Sequence, residues 1–180
     1  MIEIVNMVGS GSLGKELDLQ SVYESIGHPL AKYDPEMYPA VYLRITDDSA
    51  LVTLYRSGKY IITGATSEEE MYSERDQLLE FLADIGITDN PEDIEFSIKN
   101  CVCSGEVNSE LDLNKVPIEL GLENTEYEPE QFPGVIYRPE THNGVALIFS
   151  SGSVIITGCK SLQASEKMFV ELKERVFNPL

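Results

Sequence analysis

The chain has 180 residues, with 31 Asp plus Glu against 13 Lys plus Arg and a formal net charge of -18. Its 42% hydrophobic content is that of a globular protein, long enough for one domain or two small ones with a real core. Taken alone, the charge argues against nucleic acid, whose binders are usually basic; the other reading is a solvated acidic surface suited to a salt-rich cytoplasm, and the motifs have to decide between them.

Met1-Ile-Glu-Ile-Val5 lacks the basic start and apolar run of a secretory leader. The stretch from Val145 to Cys159 carries no charge, but it is broken by Ser150-Ser-Gly-Ser153 and is too short to span a bilayer. Three Cys give an odd count with no disulfide framework, as in a reducing compartment.

In chain order, Ile2 to Val8 alternates and is β-rich, which predicts a strand. Gly9-Ser-Gly-Ser-Leu-Gly14 reads as a loop. Leu19, Val22, Tyr23 and Ile26 fall at helical spacing, which predicts a short helix over Leu17 to Ile26 ending at Gly27. Strands follow at Lys32-Tyr33, Ala40 to Ile45, Leu51 to Arg56 and Lys59 to Ala65. They are separated by the turn signals Asp34-Pro35, Thr46 to Ser49 and Ser57-Gly58, so they form an antiparallel meander. Ser67 opens a helix with the spacing of a capping box to Glu70. The apolar stripe of that helix is Met71, Leu78, Leu79, Phe81 and Leu82, and Gly86 ends it. Thr88 to Asp93 is a linker, after which the pattern repeats, with a last helix from about Ser161 to Phe177.

The repetition is literal. Ser57-Gly-Lys-Tyr-Ile-Ile-Thr-Gly64 returns as Ser151-Gly-Ser-Val-Ile-Ile-Thr-Gly158, and Glu16-Leu-Asp-Leu19 returns as Glu110-Leu-Asp-Leu113 at the same offset. Roughly two dozen identities fall within about 75 aligned positions, the mark of a duplicated unit rather than of chance. Each half therefore reads β-α-β-β-β-β-α, with boundaries at 1–90 and 91–180. Two helices cover only one face of such a meander, and the open face is a binding surface.

Several motifs have bland alternatives. Gly9-x-Gly11-x-x-Gly14, with Asp34 beyond it, has the spacing of a dinucleotide fingerprint, but a meander follows where a parallel crossover is needed. Cys101 and Cys103 alternate onto the face opposite Asn100 and Val102, which makes them small core thiols rather than half a metal site. His28 and His142 lie in turns and read as surface loop residues. Tyr38, Tyr55, Phe132 and Phe149 taken alone are ordinary core aromatics. Asn6 and Asn100 in mid-strand are harder to explain, because Asn is depleted in strands. No nucleophile–base pair points to an enzyme.

Ile4-Val-Asn-Met-Val8, Ile98-Lys-Asn-Cys-Val102, the two Tyr-x-Pro-Glu-x-aromatic-Pro segments at Tyr33 and Tyr127, and the doubled Ser-Gly-x-x-Ile-Ile-Thr-Gly together resemble the TATA-binding protein family across essentially the whole chain. The acidity resembles that of a halophilic archaeon. The resemblance implies an α+β saddle of two pseudo-symmetric repeats forming one curved antiparallel ten-stranded sheet, with helices on the convex face. That family is a standard example of minor-groove binding by sheet and apolar wedges, so the mechanism comes with the resemblance.

The resemblance also implies roles. Asn6 and Asn100 contact base edges at the centre of the box, assisted by Thr63 and Thr157. Val8, Val102, Ile61 and Ile155 form an apolar floor that clashes with a guanine amino group. The kinking wedges fall at Tyr38 and Tyr55 in one half and Phe132 and Phe149 in the other. Arg44, Arg138, Lys59 and Lys160 match phosphate-contacting positions. Glu128, Glu130 and Gln131 fall where transcription factor B grips, and RNA polymerase follows indirectly. The protein is then expected in the cytoplasm at the nucleoid, acting as a monomer on promoter DNA without metal or cofactor. This chain departs from the family pattern in four respects: Tyr replaces Phe at the first wedge pair, Lys is missing at Thr66 and at Ser153, and Thr53 stands where Leu is usual, opposite Leu147. The missing lysines and the Tyr wedges support a rival reading, a divergent paralogue that works mainly through protein contacts or as a regulatory module, with weak DNA binding.

Overall fold

The computed structural model describes residues 1–27, 29–89 and 95–177, with the side chain of the last left out. Two compact units divide the chain. Asn6–Ile98 is the first half; Lys99–Leu180 with Met1–Val5 is the second.

The first half holds β1 (Ile2–Ser12, from Asn6 onward), α1 (Leu19–Ile26), β2 (Ala31–Tyr33), β3 (Ala40–Leu43), β4 (Leu51–Tyr55), β5 (Lys59–Ala65) and α2 (Glu68–Asp84). Its strand order is β2-β3-β4-β5-β1, with every described pairing antiparallel, as a meander with short turns requires. The bounds of β2 to β5 agree with the sequence pattern to within two residues, β3 ending at Leu43 rather than Ile45, whereas β1 runs on through Gly9 and Gly11 to Ser12 where a loop is expected. The reason lies in packing. A Cβ on Gly9 would overlap the Phe96 ring, and one on Gly11 would overlap the Tyr60 hydroxyl. These glycines let aromatic rings lie on the strand. In mid-strand they build no phosphate-binding turn.

Asp18 caps α1, its Oδ1 accepting the Ser21 N–H at 2.9 Å, and that bond holds the carboxyl below its usual pKa. Ser67 caps α2 by accepting the Glu70 N–H at 3.1 Å. The Glu70 carboxylate accepts from Thr66 N at 2.7 Å and Thr66 Oγ1 at 2.9 Å, one residue earlier than a capping box predicts. Met71, Leu78, Leu79 and Leu82 are buried as expected, whereas Phe81 is only half-buried. Tyr60 and Ile62 of β5, against which α2 packs, are buried on the helix side together with Val52 and Leu54 of β4.

The second half repeats the order with β6 (Phe96–Glu106, from Lys99 onward), α3 (Val116–Leu120), a short 3-10 turn, β7 (Thr125–Glu126), β8 (Val135–Tyr137), β9 (Val145–Ile148), β10 (Ser153–Cys159) and α4 (Leu162–Phe177). Its strand order is β6-β10-β9-β8-β7. Cys101, Cys103 and Cys159 are buried on the helix side with Met168, Phe169 and Leu172, the core role expected of the first two. His142 differs from expectation: it is half-buried, and its Nε2 lies 2.8 Å from Glu171 Oε2 of α4. His28 and most of the 88–93 linker lie outside the described residues. Among the described residues no helix is long and apolar enough to cross a membrane, and no group of three or more His, Cys, Asp or Glu is placed to hold a metal ion.

Candidate nucleic-acid interface

Alternation divides each strand between a helix side and an open side. On β4, Val52 and Leu54 are buried, while Leu51, Thr53 and Tyr55 are half-exposed; β5 and β10 follow the same pattern. In the first half, register places Tyr42, Thr53, Ile61 and Ser10 in one cross-strand row, with Lys32 at its outer end. The equivalent row of the second half is Ile136, Leu147, Ile155 and Ser104, with Glu126 at its outer end. Val8 pairs with Thr63 in the adjacent row. Val8, Ile61, Thr63, Val102, Leu147, Ile155 and Thr157 are therefore half-buried residues on the open sides.

Asn100 sits among them in a fixed pose. Its Oδ1 accepts the Gly158 N–H at 2.8 Å, and its Nδ2 donates to Thr157 Oγ1 at 3.2 Å. The Gly158 N–H can only donate, so the amide oxygen must face it, and one Nδ2 proton remains uncommitted. Gly158 reaches this position through a positive φ of 86°, beside the irregularity in the β6–β10 register. Asn6 has no side-chain hydrogen bond to another described residue, although Thr63 and Gly64 occupy the corresponding positions. The pseudo-symmetric asparagines thus differ in preorganisation.

The four aromatic residues expected to act as wedges form two distinct clusters. Phe132 and Phe149 meet edge to face at 5.8 Å between ring centroids. They lie over Gly134, where a Cβ would stand 3.0 Å from Phe132 Cε1 and 3.1 Å from Phe149 Cε1. Tyr38 and Tyr55 join their hydroxyls at 3.1 Å, and Tyr38 stacks on Tyr42 at 5.4 Å. Each phenol thus has a polar partner, as a partly desolvated hydroxyl requires. The hydrogen bond to Tyr38, followed by burial, pushes the Tyr55 phenol up to about 12. Burial, then the charge of Tyr38, raises that of Tyr42. Tyr42 was not singled out from the sequence; comparing it with Ile136 at the repeat offset would have found it.

The cationic positions are uneven. Lys59 and Lys160 are exposed. Arg44 donates from Nη1 to the Ser49 carbonyl at 2.6 Å. Arg138 is ion-paired to Glu126 at 3.3 Å, with both side chains more than half exposed. Glu128, Glu130 and Gln131 are exposed in the turn between β7 and β8.

Two tandem β-α-β-β-β-β-α units, each with one sheet side under its helices and the other carrying half-exposed apolar, amide and hydroxyl groups, define a duplicated sheet-platform binding protein. The sequence model of the family described as "Transcription factor TFIID (or TATA-binding protein, TBP)" matches residues 1–85 and 95–177, and the chain belongs to that family. It is 42% identical over 175 residues to TATA-box-binding protein C of Halobacterium salinarum, covering 97% of each chain. It is 39% identical to the TATA-box-binding protein of Haloarcula marismortui, covering 97% of this chain and 92% of that one. The solved structure of Methanococcus jannaschii TBP superposes with a TM-score of 0.81 at 35% identity over 97% of both chains.

Proposed function

We propose that this protein is a general transcription initiation factor that binds A·T-rich promoter DNA in the minor groove through the open sides of its two halves. The observation that carries the reading is the Asn100 amide, pinned by Gly158 and Thr157 on a half-apolar sheet side. A·T pairs show only acceptors in the minor groove, and a preorganised N–H donor among Val102, Ile155 and Leu147 meets them without exposing an unmatched acceptor. Phe132 with Phe149, and Tyr38 with Tyr55, are the side chains that kink the duplex. Lys59, Lys160 and Arg44 are the candidate phosphate contacts. Glu128, Glu130 and Gln131 offer transcription factor B an exposed acidic turn, through which RNA polymerase is recruited.

The Glu126–Arg138 pair favours a second reading, a paralogue that acts mainly through protein contacts, because it neutralises one of the few cations assigned to phosphate. A gel-shift titration in molar potassium chloride separates the two, using a TATA fragment and a G·C control with and without transcription factor B. Selective retention of the TATA fragment by the protein alone supports the first reading. No discrimination between the fragments, with transcription factor B still bound, supports the second.

A further inference from the structure

The open sides of the two halves differ in a consistent direction. At four positions related by the repeat, the first half carries a hydroxyl where the second carries hydrocarbon: Tyr38 for Phe132, Tyr42 for Ile136, Thr53 for Leu147 and Tyr55 for Phe149. Tyr42 and Thr53 are cross-strand neighbours in the row that continues to Ile61. The same row in the second half is uninterrupted hydrocarbon from Ile136 through Leu147 to Ile155. The Tyr38 and Tyr55 hydroxyls engage each other. The Thr53 hydroxyl has no hydrogen bond to another described residue, so both its lone pairs and its proton are open to a ligand.

In the minor groove a G·C pair differs from an A·T pair by one donor, the guanine N2 amino group. Against hydrocarbon that donor is desolvated without a partner, which is costly. Against a hydroxyl it finds an acceptor. We propose that the first half accepts a G·C pair within the box, the hydroxyls of Thr53 and Tyr42 receiving the guanine amino group, while the second half rejects one. This rests on the minor-groove reading above and refines it. The box served is then mixed at one end, and its G·C pair sets the direction in which the protein lies on the promoter.

Three duplexes test this: an all-A·T box, the same box with one G·C pair near one end, and one with G·C pairs at both mirror-related positions. Because either half can take either end, a single G·C pair settles under the first half. The wild-type protein is expected to bind the single-G·C box within about threefold of the all-A·T box and the double-G·C box at least about tenfold more weakly, the usual penalty for a wrong base pair. Thr53→Leu with Tyr42→Ile makes the first-half row a copy of the second, and the single-G·C box should then lose at least about tenfold as well. If that variant does not fold, Thr53→Val removes the hydroxyl at nearly constant shape and should shift the same ratio in the same direction. A tenfold loss on the single-G·C box with wild-type protein overturns the proposal. Failure to prefer the all-A·T box over an unrelated G·C-rich duplex overturns the minor-groove reading instead.

Discussion

Asn6→Ala and Asn100→Ala remove pseudo-equivalent amides, yet they should not cost the same. A lost base contact costs roughly 1–3 kcal/mol. Asn100 is already held by Gly158 N at 2.8 Å and by Thr157, so little side-chain entropy is lost when DNA arrives. Asn6 has no such support, and ordering it on binding takes back about 0.5–1.5 kcal/mol. With a contact worth about 2 kcal/mol, Asn100→Ala should weaken binding roughly thirtyfold and Asn6→Ala roughly fivefold. Loss of the Asn100–Gly158 bond also costs about 0.5–1.5 kcal/mol of stability at most. Gly158 is exposed, so water replaces the missing acceptor. Fluorescence anisotropy with a labelled TATA duplex in 1 M potassium chloride measures the affinities, and circular dichroism checks folding. Equal losses, or a larger loss for Asn6→Ala with both variants folded, would refute the argument from preorganisation.

The Tyr60 hydroxyl is buried beneath α2 without a hydrogen-bond partner among the described residues, so Tyr60→Phe should raise stability by about 1–3 kcal/mol in urea unfolding; an unchanged or lower midpoint contradicts this. Burial raises Tyr60 to about 12, and the Tyr38 hydrogen bond with burial raises Tyr55 to about 12, both from 10.0. A raised phenol favours the folded state below its unfolded pKa, so stability should be full below pH 10 and fall between pH 10 and 12; a urea midpoint constant across that window is the contrary result. On the proposed wedge role, Tyr38→Phe with Tyr55→Phe removes two hydroxyls that insertion between bases would desolvate, and should tighten binding to an all-A·T box or increase its bend; unchanged affinity and bend by fluorescence transfer would sink this. With a net charge of -18 and Arg138 paired to Glu126, affinity should rise or stay flat from about 0.1 to 1 M potassium chloride; a steep loss by folded protein would mean that phosphate contacts dominate.

Local signals carried most of the fold. The doubled Ser-Gly turn with its β-branched run located β5 and β10, and Ser67 located the start of α2. Gly9 and Gly11 misled, because a glycine signals a turn locally, and the rings that require it here belong to Phe96 and Tyr60, far along the chain. Asn6 and Asn100 stood out as polar residues in strands. Their difference did not, because it depends on where the Gly158 N–H points after the strand irregularity. The Glu126–Arg138 pair likewise depends on the pairing of β7 with β8, and the Tyr42 stack on how the chain turns from Tyr38 into β3. The hydroxyl asymmetry was present in the sequence and became meaningful once register placed Tyr42 and Thr53 in a single row.

The most direct test of minor-groove reading is a box in which every A·T pair is replaced by inosine·cytosine. Inosine lacks the N2 amino group, so the substituted box presents the minor groove of A·T pairs and a major groove like that of G·C pairs. Affinity within a few-fold of the A·T box, alongside failure to bind the guanine version, is the result expected if the open sheet sides read the minor groove. Binding as poor as that of the guanine box would contradict it.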